Sequence, residues 1–231
     1  MSKNHLKRLN APRKWPISRK KSKWITKSNP GPHKLEESMP LNIILKDLLK
    51  YSKTTREVKK ILNDNGILVD KVIRKDVKFP VGIFDIIEIP KIKEYFLFLL
   101  NNRGKFFLKK INEKQSESRC LKIIGKKVLK KNKLQINFYN GNNVIIENKD
   151  YRIGDSLLLN LKDKKILRHL KLEKGATVYL TGGKYVGLFG TIKELSSSDK
   201  TRKDMLDIEI DKKPIKTLRK FAFVVDKDII K

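Results

Sequence analysis

The sequence has little cysteine and histidine, and this shortage excludes several kinds of site. Its single cysteine, Cys120, leaves no internal disulfide to form and fits a reducing cytoplasm. One cysteine and three scattered histidines give no ligand pair for zinc. Gly-x-Ser-x-Gly, His-Glu-x-x-His and the nucleotide-binding loop Gly-x-x-x-x-Gly-Lys-Ser/Thr are all missing. We therefore expect a protein that is not an enzyme, with no metal, no cofactor and no small-molecule substrate.

Long hydrophobic runs are also missing. The longest apolar-rich stretches, around Tyr95–Leu100 and Ser156–Leu161, are far shorter than the roughly 20 residues that a transmembrane helix needs. No apolar stretch of signal-peptide length follows the basic N-terminus, and prolines there disfavour the amphipathic helix of a mitochondrial presequence. We expect no membrane partner.

Acidic residues are strongly outnumbered. The 231 residues contain 25 Asp and Glu against 55 Lys and Arg, which gives a formal net charge of +30. Such a charge opposes compaction unless a polyanion is near, and nucleic acid is the commonest polyanion. Charge alone does not separate RNA from DNA or from an anionic membrane.

The first 34 residues form a basic arm. They contain eleven Lys or Arg, no acid, four prolines, and the tryptophans Trp15 and Trp24. Because prolines interrupt helices and like charges repel, we expect this arm not to pack on itself in isolation. A solvated tail has little use for two tryptophans, whereas cations interleaved with aromatic rings suit a segment that orders on RNA. His5 and His33 are expected to stack on RNA or to hydrogen-bond with it.

Two helices and a hairpin are predicted after the arm. The first helix is indicated by the spacing i, i+3, i+4, i+7 and i+8 of Leu41, Ile44, Leu45, Leu48 and Leu49. A capping box at Thr54–Glu57 predicts the start of the second helix, and Asn65-Gly66 predicts its end. Short strands are predicted at Ile67–Val69 and Val72–Arg74. The second helix and the hairpin offer a basic face that is expected to bind phosphate.

From about Phe84 onward the pattern is typical of short strands separated by turns. The predicted strands are Phe84–Ile89, Tyr95–Leu100, Lys105–Ile111, Cys120–Lys130, Leu134–Tyr139, Val144–Ile146 and Leu157–Leu161. They predict an antiparallel barrel or curled sheet. Twelve Lys or Arg lie between Arg103 and Lys133 against two acids, which predicts a second phosphate-contacting surface.

A glycine-rich loop separates two further predicted strands, Thr177–Thr181 and Leu188–Leu195. Its glycines permit positive φ angles and bring the backbone close to a partner. This loop is better interpreted as part of a small β-barrel than as a nucleotide-binding loop. A nucleotide-binding loop is followed by a helix, and no helix is expected after this one. The acids Asp204, Asp207, Glu209 and Asp211 have the spacing of a solvated strand pair and not that of a calcium loop.

Several short stretches have the form of family signatures. They are His5–Pro12, Trp15-Pro16, Pro30–Leu35, Glu37–Leu41, Leu48–Tyr51, Thr55–Leu62, Val69-Asp70, Arg74–Asp76, Gly182–Lys184 and Gly187–Ile192. In this order they resemble the e-type S-four proteins of the small ribosomal subunit, an archaeal and eukaryotic family, and the last two resemble a KOW motif. Three positions depart from the family: Lys71 replaces a usual Gly, and Tyr185 and Leu188 replace a usual Asn and Arg. The short C-terminus resembles the archaeal members.

The resemblance implies an α+β, multidomain fold with an extended basic N-terminal arm. The implied parts are a basic N-terminal extension over 1–37, an S-four-type helix-helix-hairpin RNA-binding domain over 38–90, a β-barrel-like central domain over 91–172, a small SH3-like KOW barrel over 173–213 and a basic tail over 214–231. It also implies a structural constituent of the small ribosomal subunit in the cytoplasm. Its partners would be small-subunit rRNA and neighbouring small-subunit proteins.

The side chains expected to contact rRNA are basic or aromatic. In the arm they are Lys3, His5, Lys7, Arg8, Arg13, Lys14, Trp15, Arg19, Lys20, Lys21, Lys23, Lys27 and Lys34. In the helix-hairpin domain they are Arg56, Lys59, Lys60, Lys71, Arg74 and Lys75, and in the β region Lys126, Lys127 and Lys184.

Two functions of other classes stay open from the sequence. An RNA-modifying enzyme would use the S-four-type domain for targeting, but it needs a buried catalytic carboxylate for which the β region has no candidate at useful spacing. A transcription-associated factor is suggested by the KOW motif alone, and the basic arm counts against it.

Overall fold

A computed structural model of the chain describes residues 4–130, 133–147, 150–196, 205–210 and 213–226. The chain divides into two units. The first consists of the residues up to Leu100 together with Lys105–Glu117, and the second of Asn101–Gly104 together with the chain from Ser118. Three residues singled out in the sequence, Lys3, Asp204 and Asp211, lie outside the described ranges.

The first unit combines short helices with small antiparallel sheets. Its elements are β1 (Leu6–Lys7), β2 (Trp24–Ile25), β3 (Ser38–Pro40), α1 (Leu41–Ile43), α2 (Thr55–Asn63), β4 (Leu68–Val69), β5 (Val72–Ile73), β6 (Pro80–Gly82), β7 (Ile86–Ile89), β8 (Glu94–Leu100), β9 (Phe106–Ile111) and α3 (Glu113–Ser116). The main sheet has the order β5-β4-β7-β8-β9, while β1 pairs with β2 and β3 pairs with β6.

The first predicted helix is present, but its hydrogen bonding changes along its length. Leu41, Ile44 and Leu45 are buried, as the apolar spacing predicts. After α1 the chain continues as a π-helical segment over Ile44–Leu48, in which the amide of Leu49 donates to the carbonyl oxygen of Ile44 at 2.9 Å. The predicted apolar face therefore packs inward through a helix that is wider than an α-helix.

The second predicted helix is confirmed at both ends. Thr54 is the N-cap of α2: its Oγ1 accepts from the amide of Glu57 at 3.3 Å, and the Glu57 carboxylate accepts from the amide of Thr54. At the other end the amide of Gly66 donates to the carbonyl oxygen of Ile61 at 3.0 Å, and Asn65 takes a positive φ of 52°. These contacts form a Schellman-type end in which Asn65 holds the left-handed position.

The main sheet of the first unit crosses the predicted domain boundary at residues 90 and 91. Ile87 of β7 pairs with Phe96 of β8, and β8 pairs along its whole length with β9. The predicted strands of this region are present, yet β8 and β9 belong to the first unit and not to a separate central domain. The boundary at 90 is displaced because Phe98 and Leu100 are buried in the same sheet that carries the hairpin.

The second unit consists of two antiparallel five-stranded sheets. Its strands are β10 (Ser118–Val128), β11 (Leu134–Phe138), β12 (Asn143–Ile146), β13 (Ser156–Asn160), β14 (Ile166–Leu170), β15 (Thr177–Leu180), β16 (Phe189–Ser196), β17 (Met205–Ile210), β18 (Lys213–Leu218) and β19 (Ala222–Val224). Their orders are β12-β11-β10-β13-β14 and β18-β17-β16-β15-β19. The sequence does not predict β14 or β19, whereas the strand pair expected around the acidic cluster is present as β17 and β18. Part of the range 214–231, expected to be a basic tail, instead forms β18 and β19, because these strands pair with β17 and β15.

Each sheet of the second unit has its own apolar core. Ile123, Ile136 and Phe138 lie in the core of the first sheet, and Val178 and Ile208 lie in that of the second. Strand β10 changes partner along its length: its first half pairs with β13 and its second half pairs with β11. A bulge near residue 124 lies where the partner changes. This bulge curls the sheet, in agreement with the curled sheet expected for the central region.

Candidate nucleic-acid interface

Helix α2 presents three cations on one exposed face. Arg56, Lys59 and Lys60 are exposed, whereas Val58 and Leu62 on the opposite face are buried in the first unit. The spacing i, i+3 and i+4 places the three cations side by side on the helix surface. The predicted basic face of this helix is therefore present in the fold.

Glu57, the acidic residue on the same helix, takes part in capping the N-terminus of the helix. The carboxylate of Glu57 accepts hydrogen bonds from the amide of Lys53 at 2.8 Å and from Thr54 Oγ1 at 2.8 Å. The hydrogen bond from Lys53, then that from Thr54, lowers the pKa of Glu57 below its ordinary value. Its charge stays at the first turn of the helix, where an acid is favourable, and not among the cations.

The hairpin contributes less to this face than the sequence predicts. The ammonium of Lys71 lies 2.7 Å from the Glu88 carboxylate and donates to Ser116 Oγ at 3.1 Å. The guanidinium of Arg74 lies over the ring of Phe79, 4.3 Å from its centroid. Among the three predicted hairpin contacts, Lys71, Arg74 and Lys75, Lys75 is the one exposed residue. Lys71 and Arg74 are thus engaged inside the protein.

The basic arm packs within the first unit, contrary to the prediction that it stays unpacked without a partner. Strands β1 and β2 pair with each other. Arg8 begins the short 3-10 helix that follows β1, and its side chain is buried. Arg8 donates to Ser22 Oγ and to the carbonyl oxygen of Ser18, both at 3.0 Å. The guanidinium of Arg19 donates to the carbonyl oxygens of Leu9, Ala11 and Pro12. The arm folds because its arginines satisfy its own backbone acceptors.

The two tryptophans of the arm have opposite environments. Trp15 is fully buried, and its Nε1 donates to the carbonyl oxygen of Ser38 at 2.7 Å. Such a ring presents no face to a base, which disagrees with the predicted RNA contact. Trp24 is half exposed, and its ring centroid lies 5.6 Å from that of His5. The predicted RNA contact of His33 also disagrees with its burial, since its Nε2 lies 3.0 Å from the Asp85 carboxylate.

Most of the other predicted arm residues lie at the surface. Exposed are His5, Lys7, Arg13, Lys20, Lys21, Lys23 and Lys34, and half-buried are Lys14 and Lys27.

The predicted basic surface of the β region is narrower than its composition indicates. Lys126 and Lys127 are exposed on β10, where Lys126 Nζ also donates to the carbonyl oxygen of Tyr151 at 2.8 Å. Arg119 and Lys122 on the same strand are buried. The strand therefore divides its cations between the interior at its start and the surface at its end.

The glycine-rich loop between β15 and β16 serves the packing of the protein itself. Gly183 and Gly187 have positive φ angles of 84° and 80°, as expected. A side chain at Gly182 would lie 2.5 Å from the ring of Phe221, so this close approach is made to the chain itself. Lys184, the predicted contact in this loop, is exposed.

Three further observations concern metal binding, membrane crossing and the single thiol. Within the described ranges, no group of three or more His, Cys, Asp and Glu can hold a metal ion, and no helix is long and apolar enough to cross a membrane. Cys120 is buried, and its Sγ lies 3.3 Å from the carbonyl oxygen of Val224. Burial raises the pKa of this thiol to about 12, which makes it a poor nucleophile.

Comparison with known proteins decides the family. The model of the RS4NT (NUC023) domain matches residues 2–36, and that of the ribosomal family S4e matches residues 92–166. Small ribosomal subunit protein eS4 of Methanosphaera stadtmanae is 42% identical over 227 residues, which cover 98% of this chain and 94% of that protein. The chain belongs to the eS4 family. The eS4 protein of Archaeoglobus fulgidus is 38% identical over 223 residues, covering 96% and 93%.

The fold agrees with this family. The crystal structure of the 30S ribosomal protein S4e from Thermoplasma acidophilum matches with a TM-score of 0.72 and 27% identity, over 82% of this chain and 95% of that one. An eS4 protein is a structural ribosomal protein and not an enzyme, so the RNA-modifying alternative is excluded. The RS4NT match coincides with the arm that packs in the first unit.

Sequence reasoning missed two features of this eS4 surface. It named Trp15 and not Trp24 as an RNA contact, although Trp24 is the exposed tryptophan. It also counted Arg119 and Lys122 toward a phosphate-contacting surface, although both point inward. No local signal separates these residues, because burial depends on partners that lie far away in the sequence.

Proposed function

We propose that this chain binds small-subunit rRNA through three sets of exposed cations. The first is the α2 face of Arg56, Lys59 and Lys60. The second is the exposed part of the arm, and the third consists of the β-region lysines Lys126, Lys127 and Lys184. The observation that carries the proposal is the α2 face, where three cations stand together while the acid of the same helix is held at the cap.

The proposed contacts are electrostatic. Phosphates attract clustered cations, and each neutralised phosphate releases counterions. The logarithm of the binding constant is therefore expected to fall by roughly 0.9 per phosphate contact for each tenfold rise in salt on duplex RNA, taking duplex DNA as the guide. Such contacts fix the position of the protein on folded RNA rather than reading a sequence.

The domain arrangement is part of the proposal. We propose that the arm, the helices and the hairpin act as one RNA-binding region. The sheet containing β10 and the KOW-like sheet containing β15 and β16 would hold a neighbouring RNA segment. Neighbouring small-subunit proteins would cover part of the remaining surface. Its place is the cytoplasmic ribosome, where the small subunit works.

Crosslinking in cells tests this function directly. A tagged chain is crosslinked, the attached RNA is sequenced, and a sucrose gradient is run in parallel. We expect crosslinks at a few small-subunit rRNA sites and one copy of the protein in each mature small subunit. Crosslinks to tRNA or nascent transcripts, with the protein missing from mature subunits, would contradict it and favour the transcription-associated alternative.

A further inference from the structure

A large cavity lies between the arm and the helices of the first unit. Its volume is about 1220 Å³. The arm contributes Lys21 and Trp24 to its lining, and the helical region contributes Lys46, Lys50 and Lys59. Small-molecule pockets usually enclose about 300–1,000 Å³. A space of this size, open to solvent on a basic surface, fits a segment of a polymer better than a small ligand.

The lining of this cavity includes two buried polar groups that have no partner among the described residues. Asn42 is 3% exposed and Ser52 is 6% exposed. The amide nitrogen of Asn42 donates to Thr26 Oγ1 at 2.6 Å and to Thr55 Oγ1 at 3.3 Å, which orients the side chain. Within the described residues, Asn42 Oδ1 accepts no hydrogen bond, and Ser52 Oγ neither donates nor accepts one. Because buried polar atoms are nearly always hydrogen-bonded, these two atoms indicate a polar ligand.

The charge of the lining defines the ligand further. Among the described residues that line the cavity, eight are Lys or Arg and one, Asp47, is an acid. No ion pair within the described ranges holds the ammonium of Lys46, Lys50 or Lys59. A cavity with this balance attracts an anion that carries several charges.

An exposed aromatic ring completes the site. Trp24 is half exposed although Trp15, nine residues earlier, is fully buried. His5 lies beside the Trp24 ring at 5.6 Å, and Lys23 Nζ lies 5.3 Å from the ring centroid. Exposed tryptophan next to cations is the arrangement on which unpaired bases stack while their phosphates are neutralised.

We infer that this cavity binds an unpaired segment of RNA. One base stacks on Trp24 and the phosphates lie against Lys46, Lys50 and Lys59. Asn42 Oδ1 and Ser52 Oγ are closed to solvent in the unbound chain, so a local opening of the lining lets ribose hydroxyls reach them. Asn42 Oδ1 only accepts, so it selects a donor such as the 2′-hydroxyl, which DNA lacks. The inference rests on the proposed rRNA binding. It adds that the RNA bound at this cavity is unpaired and that its ribose is recognised.

Tryptophan fluorescence of the full chain tests the location of the base. A short unpaired RNA oligonucleotide is titrated into the wild type and into Trp24→Phe, in which Trp15 is the remaining emitter. We expect quenching in the wild type, little quenching in Trp24→Phe, and little quenching by an RNA duplex. Equal quenching in both proteins, or equal quenching by duplex, would overturn the inference. Quenching by adenosine monophosphate at the same nucleotide concentration would assign the site to a free nucleotide and would also overturn it.

Binding measurements with variants test the contacts. Trp24→Ala is expected to bind the unpaired RNA roughly 5- to 150-fold more weakly, since base stacking on an aromatic ring contributes this much. Ser52→Ala is expected to reduce the preference for RNA over the same DNA sequence, and Ser18→Ala, a serine outside the cavity lining, is the matched control. If both cavity variants bind unpaired RNA like the wild type while a small-subunit rRNA fragment still binds, the inference fails and the proposed function stands. If the rRNA fragment does not bind at all, the proposed function fails.

Discussion

The ammonium group of Lys122 donates a 2.6 Å hydrogen bond to the carbonyl oxygen of Ala222, which lies 100 residues further along the chain. The same group donates to the carbonyl oxygens of Lys220 at 3.0 Å and Arg219 at 3.3 Å. Lys122 lies in β10 and Ala222 begins β19, so one buried cation joins the two sheets of the second unit. Burial, and secondly the positive charge of Arg219, lowers the pKa of Lys122 to about 8.

This shift predicts how stability depends on pH. A lysine in the unfolded chain has a pKa of about 10.4, so between about pH 8 and 10.4 the unfolded state binds more protons than the folded state. The free energy of unfolding of the wild type, relative to Lys122→Met, is therefore expected to rise with pH across this window, by at most on the order of 3 kcal/mol. Denaturant unfolding of both proteins at the two ends of the window measures the change.

Lys127→Met provides the control for that comparison, because Lys127 is an exposed lysine on the same strand. The shift assigned to Lys122 is wrong if the difference between wild type and Lys122→Met stays constant from about pH 8 to 10.4.

Trp15 is expected to anchor the arm to the rest of the first unit. Trp15→Phe removes the hydrogen bond from Nε1 to the carbonyl oxygen of Ser38 and leaves that buried acceptor without its donor. Removing a buried partner costs about 1–3 kcal/mol, and we expect a decrease of that size in the free energy of unfolding. Limited proteolysis should then cleave the arm faster. Trp24→Phe, at a half-exposed tryptophan, should change neither property, and equal effects of the two substitutions would contradict the anchor.

Local signals in the sequence predict the elements of this fold well. Thr54 and Glu57 lie three residues apart, and their reciprocal hydrogen bonds depend only on the helix that they begin. Most strands from Tyr95 onward follow from apolar runs between turns in the same way, although β14 and β19 do not. The family resemblance is also carried by contiguous stretches, so it does not depend on the folded structure.

Long-range contacts explain what the sequence does not predict. Trp15 is buried by contacts with residues such as Ser38, and Lys122 is held by residues 219–222. The domain boundary at residue 90 is wrong for the same reason, since the pairing of β7 with β8 continues the sheet beyond it. The sequence around a basic residue does not show whether that residue binds a phosphate or a carbonyl oxygen of its own chain.

The hairpin turn between β4 and β5 holds two non-glycine residues in the left-handed region. Asp70 and Lys71 have φ angles of 52° and 63°, as a two-residue type I′ turn requires. Lys71→Gly would relieve about 1–2 kcal/mol of backbone strain but would break the mostly buried ion pair with Glu88, which costs about 3–5 kcal/mol. We therefore expect this substitution to lower the free energy of unfolding.

A double variant separates the two effects at the turn. Lys71→Gly combined with Glu88→Gln removes the uncompensated buried carboxylate, so it should recover much of the stability that Lys71→Gly loses. If Lys71→Gly alone is more stable than the wild type in chemical denaturation, the ion pair contributes less than the strain and the argument is wrong.

The cations of α2 give the most direct prediction about RNA. Replacing Arg56, Lys59 and Lys60 with Ala is expected to reduce the salt dependence of binding to a small-subunit rRNA fragment, by roughly 0.9 in slope for each duplex phosphate that the variant no longer neutralises. Helix α2 itself should persist, because Val58, Leu62 and the Thr54 cap are unchanged and alanine favours helix. Replacing Lys162, Lys164 and Lys165 with Ala removes the same charge from an exposed loop. If both triple variants lower the slope equally, only net charge matters and the α2 face is not a binding surface.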